Sequence, residues 1–142
     1  MQGEDPNPDP GTIVTLVNRR YLAKIGTRGA ALRQLVWGAE DLVVPSTPEL
    51  SLQAFSGRIL APWPNRLRSG EYTWNGVDYR VPVTEAATAT ALHGLLCWMD
   101  FEIEAVSTPG VVLRAVLDHP GYPTTLEFRV TYVLHEDRGL SA

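Results

Sequence analysis

The side chains with the greatest chemical reach in this sequence are guanidiniums and imidazoles rather than nucleophiles or metal ligands. Arg66 follows Pro62-Trp63-Pro64-Asn65, where two prolines stiffen the backbone on its N-terminal side. A planar fork of donors on a rigid segment beside an aromatic ring suits a polyhydroxylated ligand. In-plane N–H groups meet hydroxyl oxygens, and a ring covers a C–H face. Trp63 and Trp98 could supply that ring, or belong to the core or its rim. Arg58 and Arg68 lie in or beside the same irregular stretch, where planar donors suit a polar ligand but a solvated surface is the commoner role. His93, in Ala91-Leu92-His93-Gly94, stands between a loop and an apolar run, and Gly94 permits close backbone approach. Spacing alone is compatible with a structural or a functional imidazole.

The remaining candidates offer less. His119 precedes Pro120 in a turn, His135 falls on the polar face of a strand, and Cys97 stands alone. No His/Cys/Asp spacing matches a metal site, so no metal is expected. Glu102 and Glu104 share a strand face, as solvated charges commonly do, and Glu40-Asp41 sits at a turn. Phosphate-loop, dinucleotide and nucleophile-elbow patterns are absent, and no cofactor is expected.

Short strands must position these groups. The 12 glycines and 11 prolines make about 16% of the chain, above the usual ~12%. No stretch of ten residues carries a 3.6-residue apolar period. Residues 1–11, with three alternating prolines, read as an unstructured lead, and 12–142 as the folded domain. Strands are expected at Thr12–Val17, Tyr21–Ile25, Ala30–Trp37 and Asp41–Val44, followed by an irregular connection from Pro45 to Pro64 laid over a sheet. Asn75-Gly76 supplies a type I′ turn within a hairpin over Glu71–Val81. That turn sets Trp74 opposite Val77, Tyr72 opposite Tyr79 and Glu71 opposite Arg80. A second hairpin joins Phe101–Val106 to Val111–Asp118 through Ser107-Thr108-Pro109-Gly110. Leu126–Glu136 alternates apolar and polar residues, the period of a half-buried strand. The class is all-β, an antiparallel sandwich. Because only three residues follow the Asp137-Arg138-Gly139 turn, strand 126–136 is expected to be an uncovered edge able to pair with a second chain, and the chain a truncated form.

Charge and hydropathy narrow the partners. The net charge of −4 comes mostly from Glu4, Asp5 and Asp9, leaving residues 11–142 nearly neutral. Nucleic acid is not an expected partner, because it needs a concentrated basic face. No window approaches 18 apolar residues, so a spanning helix is not expected. The acidic, proline-rich start lacks the basic and apolar regions of a secretory signal, and a lone cysteine suits a reducing compartment. The expected location is the cytoplasm.

Several motifs, taken together, point to a family. Gly57-Arg58-Ile59-Leu60-Ala61-Pro62-Trp63-Pro64-Asn65-Arg66-Leu67-Arg68-Ser69-Gly70-Glu71-Tyr72, then Asn75-Gly76-Val77-Asp78-Tyr79, then Leu92-His93-Gly94, resemble the aldose 1-epimerases, or galactose mutarotases. Asp118-His119-Pro120-Gly121-Tyr122-Pro123, leading to a long strand and Gly139-Leu140, is also similar to the family. In order and approximate spacing the resemblance covers most of 12–142. It implies the first part of a galactose-mutarotase-like β-sandwich, with a sugar in a cleft across one sheet and neither metal nor nucleotide. It implies interconversion of the α and β anomers of a free aldose: a base takes the anomeric hydroxyl proton and an acid protonates the ring oxygen. The ring then opens, turns about C1–C2 and closes. On that pattern Arg66, His93 and Asn65 bind the substrate. The family's acid, a second His, and its base, a Glu, lie further along than residue 142. The 142-residue chain alone is therefore expected to be nearly inactive, since each lost group costs about 10²–10⁴ in rate. The alternative is a non-catalytic carbohydrate-binding β-domain.

Overall fold

The computed structural model describes residues 9–46 and 55–142. β-Branched and aromatic residues alternating with polar ones build two four-stranded antiparallel sheets. The first contains β1 (Ile13–Val17), β2 (Tyr21–Gly26), β3 (Ala31–Trp37) and β4 (Glu40–Asp41), in that spatial order. Two pairs of short strands follow. β5 (Arg66–Arg68) lies against β8 (Thr90–Leu92), while β6 (Glu71–Trp74) and β7 (Val77–Arg80) form a hairpin. The second four-stranded sheet runs β12-β11-β10-β9, from β9 (Glu102–Ser107), β10 (Gly110–Leu117), β11 (Leu126–His135) and β12 (Gly139–Ser141). Single 3₁₀ turns at Ala86–Thr88 and Leu96–Trp98 are the helical segments described.

The core lies between the two large sheets. Val14 and Leu16 of β1, with Ala23 and Ile25 of β2, meet Val111, Leu113, Ala115 and Leu117 of β10 and Tyr132 and Leu134 of β11. Each fully buried large side chain, such as Ile25 or Leu113, contributes about 1.5–3 kcal/mol by leaving water. The Tyr132 hydroxyl donates to the Ala30 carbonyl at 2.8 Å, so the one polar atom carried inward by that ring is satisfied. Asn18 Nδ2 donates to the His135 carbonyl at 3.0 Å, a second tie between the sheets.

Several expected features take a different form. Asp41 pairs with Val36, but Leu42–Val44 forms no strand, and Leu42 and Val44 are exposed. Residues 47–54 of the Pro45–Pro64 connection, like residues 1–8 of the lead, lie outside the described residues. At the described end of the lead, the Pro10 carbonyl accepts from the Arg28 N–H at 3.0 Å. From Phe55 onward the connection is fastened over the β2–β3 turn. Leu32 N–H donates to the Gly57 carbonyl at 3.0 Å, and Ile59 N–H to the Gly29 carbonyl at 2.9 Å. Gly57 is required there, since a Cβ would come 2.1 Å from the Leu32 carbonyl oxygen. The long strand is not wholly uncovered: β12 pairs with Val133, Leu134 and His135. Three residues suffice for that short ladder, and Leu126–Tyr132 form no such ladder on that edge among the described residues.

Candidate functional site

Two distant stretches meet at one corner. The β5–β8 ladder sets Arg66 opposite Leu92, which places the Pro62-Trp63-Pro64-Asn65-Arg66 segment beside Leu92-His93-Gly94. Beyond the ladder the two segments exchange hydrogen bonds of an unusual kind. His93 N–H donates to the Asn65 carbonyl at 2.9 Å, and Asn65 N–H donates to His93 Nδ1, also at 2.9 Å. Both residues adopt left-handed backbone, with φ of 65° at Asn65 and 61° at His93. Such a conformation costs roughly 1–2 kcal/mol per L-residue, least for Asn, and persists where surroundings over-determine it.

The neighbouring loop supplies that constraint. Leu95 and Leu96 N–H groups both donate to the Ala61 carbonyl, at 2.9 and 3.0 Å. Gly94 has φ of 74°, and a Cβ on it would lie 2.1 Å from the Ala61 oxygen. Only glycine permits this approach, so the Leu-His-Gly run is docked directly onto the proline strap.

The hydrogen bond from Asn65 fixes the chemistry of His93. Because Nδ1 accepts a backbone N–H, the neutral ring carries its proton on Nε2. Burial, and then the nearby Arg66 charge, hold its pKa below the ordinary value, partly offset by Glu85. At neutral pH His93 is therefore an uncharged donor. Phe55, with φ of 53°, places its ring edge-on to His93 at 4.9 Å and to Trp98 at 5.2 Å.

Arg66 is half exposed, yet it is held firmly. Its Nε donates to Glu85 Oε2 at 2.5 Å and its Nη2 to Glu85 Oε1 at 2.8 Å, a bidentate pair. Glu85 was not marked by any motif. The local signal is a lone acid among threonines, Thr84-Glu85 followed by Thr88 and Thr90. Thr90 Oγ1 donates to Glu85 Oε2 at 3.0 Å, and Thr88 Oγ1 donates to the same oxygen. These donors, Arg66 first, draw the Glu85 pKa down to about 2.

The other candidates separate from this corner. Arg58 is buried rather than a solvated surface group, with Nη1 donating to the Cys97 carbonyl at 3.1 Å, and its guanidinium lies over the Phe55 and Trp98 rings. Trp63 and Trp98 are half-buried. His119 Nδ1 accepts from the Gly121 N–H at 2.9 Å, and both nitrogens of His135 are engaged, by Ser141 and Arg138. Glu102 and Glu104 lie in an ion-pair ladder with Arg114 and Arg129. Among the described residues, no three His, Cys, Asp or Glu side chains converge as a metal site.

The two-sheet antiparallel sandwich matches known proteins. The aldose 1-epimerase family model matches residues 12–142, and the chain belongs to that family. It is similar to the uncharacterized protein YihR of Escherichia coli K12, 39% identical over 132 residues that make up 92% of this chain and 43% of that protein. A galactose mutarotase-like protein from Lactobacillus casei superposes with a TM-score of 0.72 at 23% identity, over 91% of this chain and 42% of that one. The GalM/aldose epimerase homologue from C. elegans superposes with a TM-score of 0.74 at 20% identity, over 88% and 42%. The fold is thus the galactose-mutarotase-like sandwich, and the chain spans a little over two fifths of the length of these proteins.

Proposed function

We propose that residues 12–142 form the sugar-holding part of an aldose 1-epimerase, acting on the free anomers of an aldohexose. The observation that carries this reading is the exchanged pair of hydrogen bonds between Asn65 and His93, which holds an uncharged Nε2–H donor beside the Arg66 guanidinium. Donors from an arginine and a neutral imidazole suit ring and hydroxyl oxygens, and would stabilise negative charge developing on the ring oxygen as the C1–O bond breaks. The protons themselves need a separate acid and base. Both ring nitrogens of His135 are engaged, by Ser141 and Arg138, and Glu85, ionised down to about pH 2, is too weak a base for the task. In this reading the chain holds the sugar and does not by itself move its protons.

The test uses the 142-residue chain with D-galactose as probe. Amide shifts at Arg66, Leu92 and His93 should move saturably with added sugar, while the optical rotation of fresh α-D-galactose decays at close to its spontaneous rate. Arg66→Ala and His93→Ala should each abolish the shifts. Undiminished binding in both variants would remove the proposal.

A further inference from the structure

The Glu85 carboxylate is unusually well anchored for a surface acid. Its backbone pairs with Thr90 in both directions, Glu85 N–H to the Thr90 carbonyl at 2.9 Å and Thr90 N–H back at 3.1 Å. The Thr88 and Thr90 hydroxyl oxygens lie 2.8 Å apart, side by side over the carboxylate oxygen they share. Glu85 is thus fixed by its own loop, and the arginine is fixed by Glu85. An unrestrained arginine side chain carries rotamer entropy that a ligand would otherwise have to overcome.

The way Arg66 is held decides what it offers. Glu85 takes the Nε–H and one Nη2–H, the side edge of the guanidinium. The end edge, Nη1 with the second Nη2–H, is left for a ligand. His93 likewise has one nitrogen taken by Asn65, leaving an N–H. The groups these two side chains present are therefore donors, matched to hydroxyl and ring oxygens. With Glu85 counted, the charges of the three side chains cancel: one cation, one anion and a neutral imidazole.

We infer that Glu85 is the positioning residue that presents the end edge of Arg66 beside His93 and, by neutralising it, matches this corner to an uncharged polyol rather than an anionic sugar ester. The ligand half of this inference rests on the sugar reading above; the positioning half does not. The experiment follows the Arg66 Nε–H resonance of the ¹⁵N-labelled 142-residue chain, assigned with Arg66→Ala. It should be resolved and slow to exchange in the wild type, intermediate in Glu85→Gln, and merged with the free arginine signals in Glu85→Ala. An unchanged resonance in Glu85→Ala overturns the positioning role. Thr88→Ala, which leaves both partners intact, should shift the resonance in the same direction by less, and guards against Glu85→Ala failing to fold; if Glu85→Ala is unfolded, an unmoved resonance in Thr88→Ala overturns the role. With D-galactose and D-galactose 6-phosphate as probes, Glu85→Gln should weaken the first about fivefold, the loss expected when one side chain must be ordered on binding. It should strengthen the phosphorylated sugar. Equal effects on both sugars overturn the charge-matching half. If neither sugar perturbs the wild type, the sugar reading falls together with that half, and the Nε–H resonance still decides the positioning.

Discussion

Two clusters of arginine and glutamate in this molecule are built from the same chemistry and differ in everything else. On the outer face of β9–β11, Arg114 meets Glu127 at 2.7 Å and Glu102 at 3.8 Å, while Arg129 meets Glu104 at 2.8 Å and Glu127 at 2.6 Å. These side chains come from regular strands, and the Glu104 and Glu127 side chains are 36% and 41% exposed. Hydration screens such pairs, and exposed pairs typically contribute little. At the β5–β8 corner the Glu85 side chain is 16% exposed, accepts hydroxyl donors besides its arginine, and sits among residues with left-handed backbone. The difference teaches that pairing alone does not make a site. What distinguishes the corner is that left-handed backbone and side-chain bonds hold its donors in one arrangement, so in the proposed sugar site the ordering cost is met during folding.

The largest effect that separates the two clusters should come from Gly94→Ala. A Cβ there meets the Ala61 oxygen and faces a positive φ, so the substitution should cost about 3 kcal/mol or more of stability, read from urea unfolding. A cost under about 1 kcal/mol would show the loop to be pliable and the comparison mistaken. Next comes acid titration, followed by ¹³C carboxyl resonances. Glu85 should remain ionised well below its ordinary value of 4.5, titrating at about 2. Because its folded pKa is depressed, its stabilising contribution is full above about pH 4.5 and is lost as pH falls through about 2. Glu104 and Glu127 are also lowered, by their arginines first, so their contributions disappear in the same direction, on falling below the ordinary carboxylate range. His93, lowered by burial first, should still be more than half neutral at pH 6.5, and its protonation should break the bond from Asn65 N–H and weaken sugar binding. The smallest effect belongs to the outer ladder. Glu127→Gln should lower the unfolding midpoint only slightly, as for an exposed ion pair, and leave any D-galactose shifts unchanged within error, since a solvated face positions nothing. A clear loss of sugar binding there would erase the contrast.

The hairpin β6–β7 was legible in full. Its register, Trp74 to Val77 through Glu71 to Arg80, follows from Asn75-Gly76, and the Tyr72 and Tyr79 rings stack at 5.3 Å. Everything that decides it lies within ten residues. The β5–β8 pair was not legible, because each strand has three residues, too few to display a period, and the partners are more than twenty residues apart. Asp41–Val44 was overread for the converse reason: an apolar run looks like a strand wherever it occurs, but Leu42 and Val44 find no partner surface and stay exposed. Arg58 reads from the sequence as a surface residue first and a ligand donor second, and its burial against Cys97 and two aromatic rings overturns the surface reading. Arg66, His93 and Asn65 were marked by motif, whereas Glu85 carried no motif and emerged only from contact.

The sequence by itself determined the sandwich class, the principal strands and the two motif segments, because turn chemistry and two-residue alternation act over a few neighbours. Only the tertiary structure decided that Asn65 and His93 lock together, that the imidazole is neutral with its proton on Nε2, and that Glu85 holds Arg66 by its side edge. Those outcomes depend on which groups meet at hydrogen-bonding distance and how far water is kept from them. Separation along the chain encodes neither quantity.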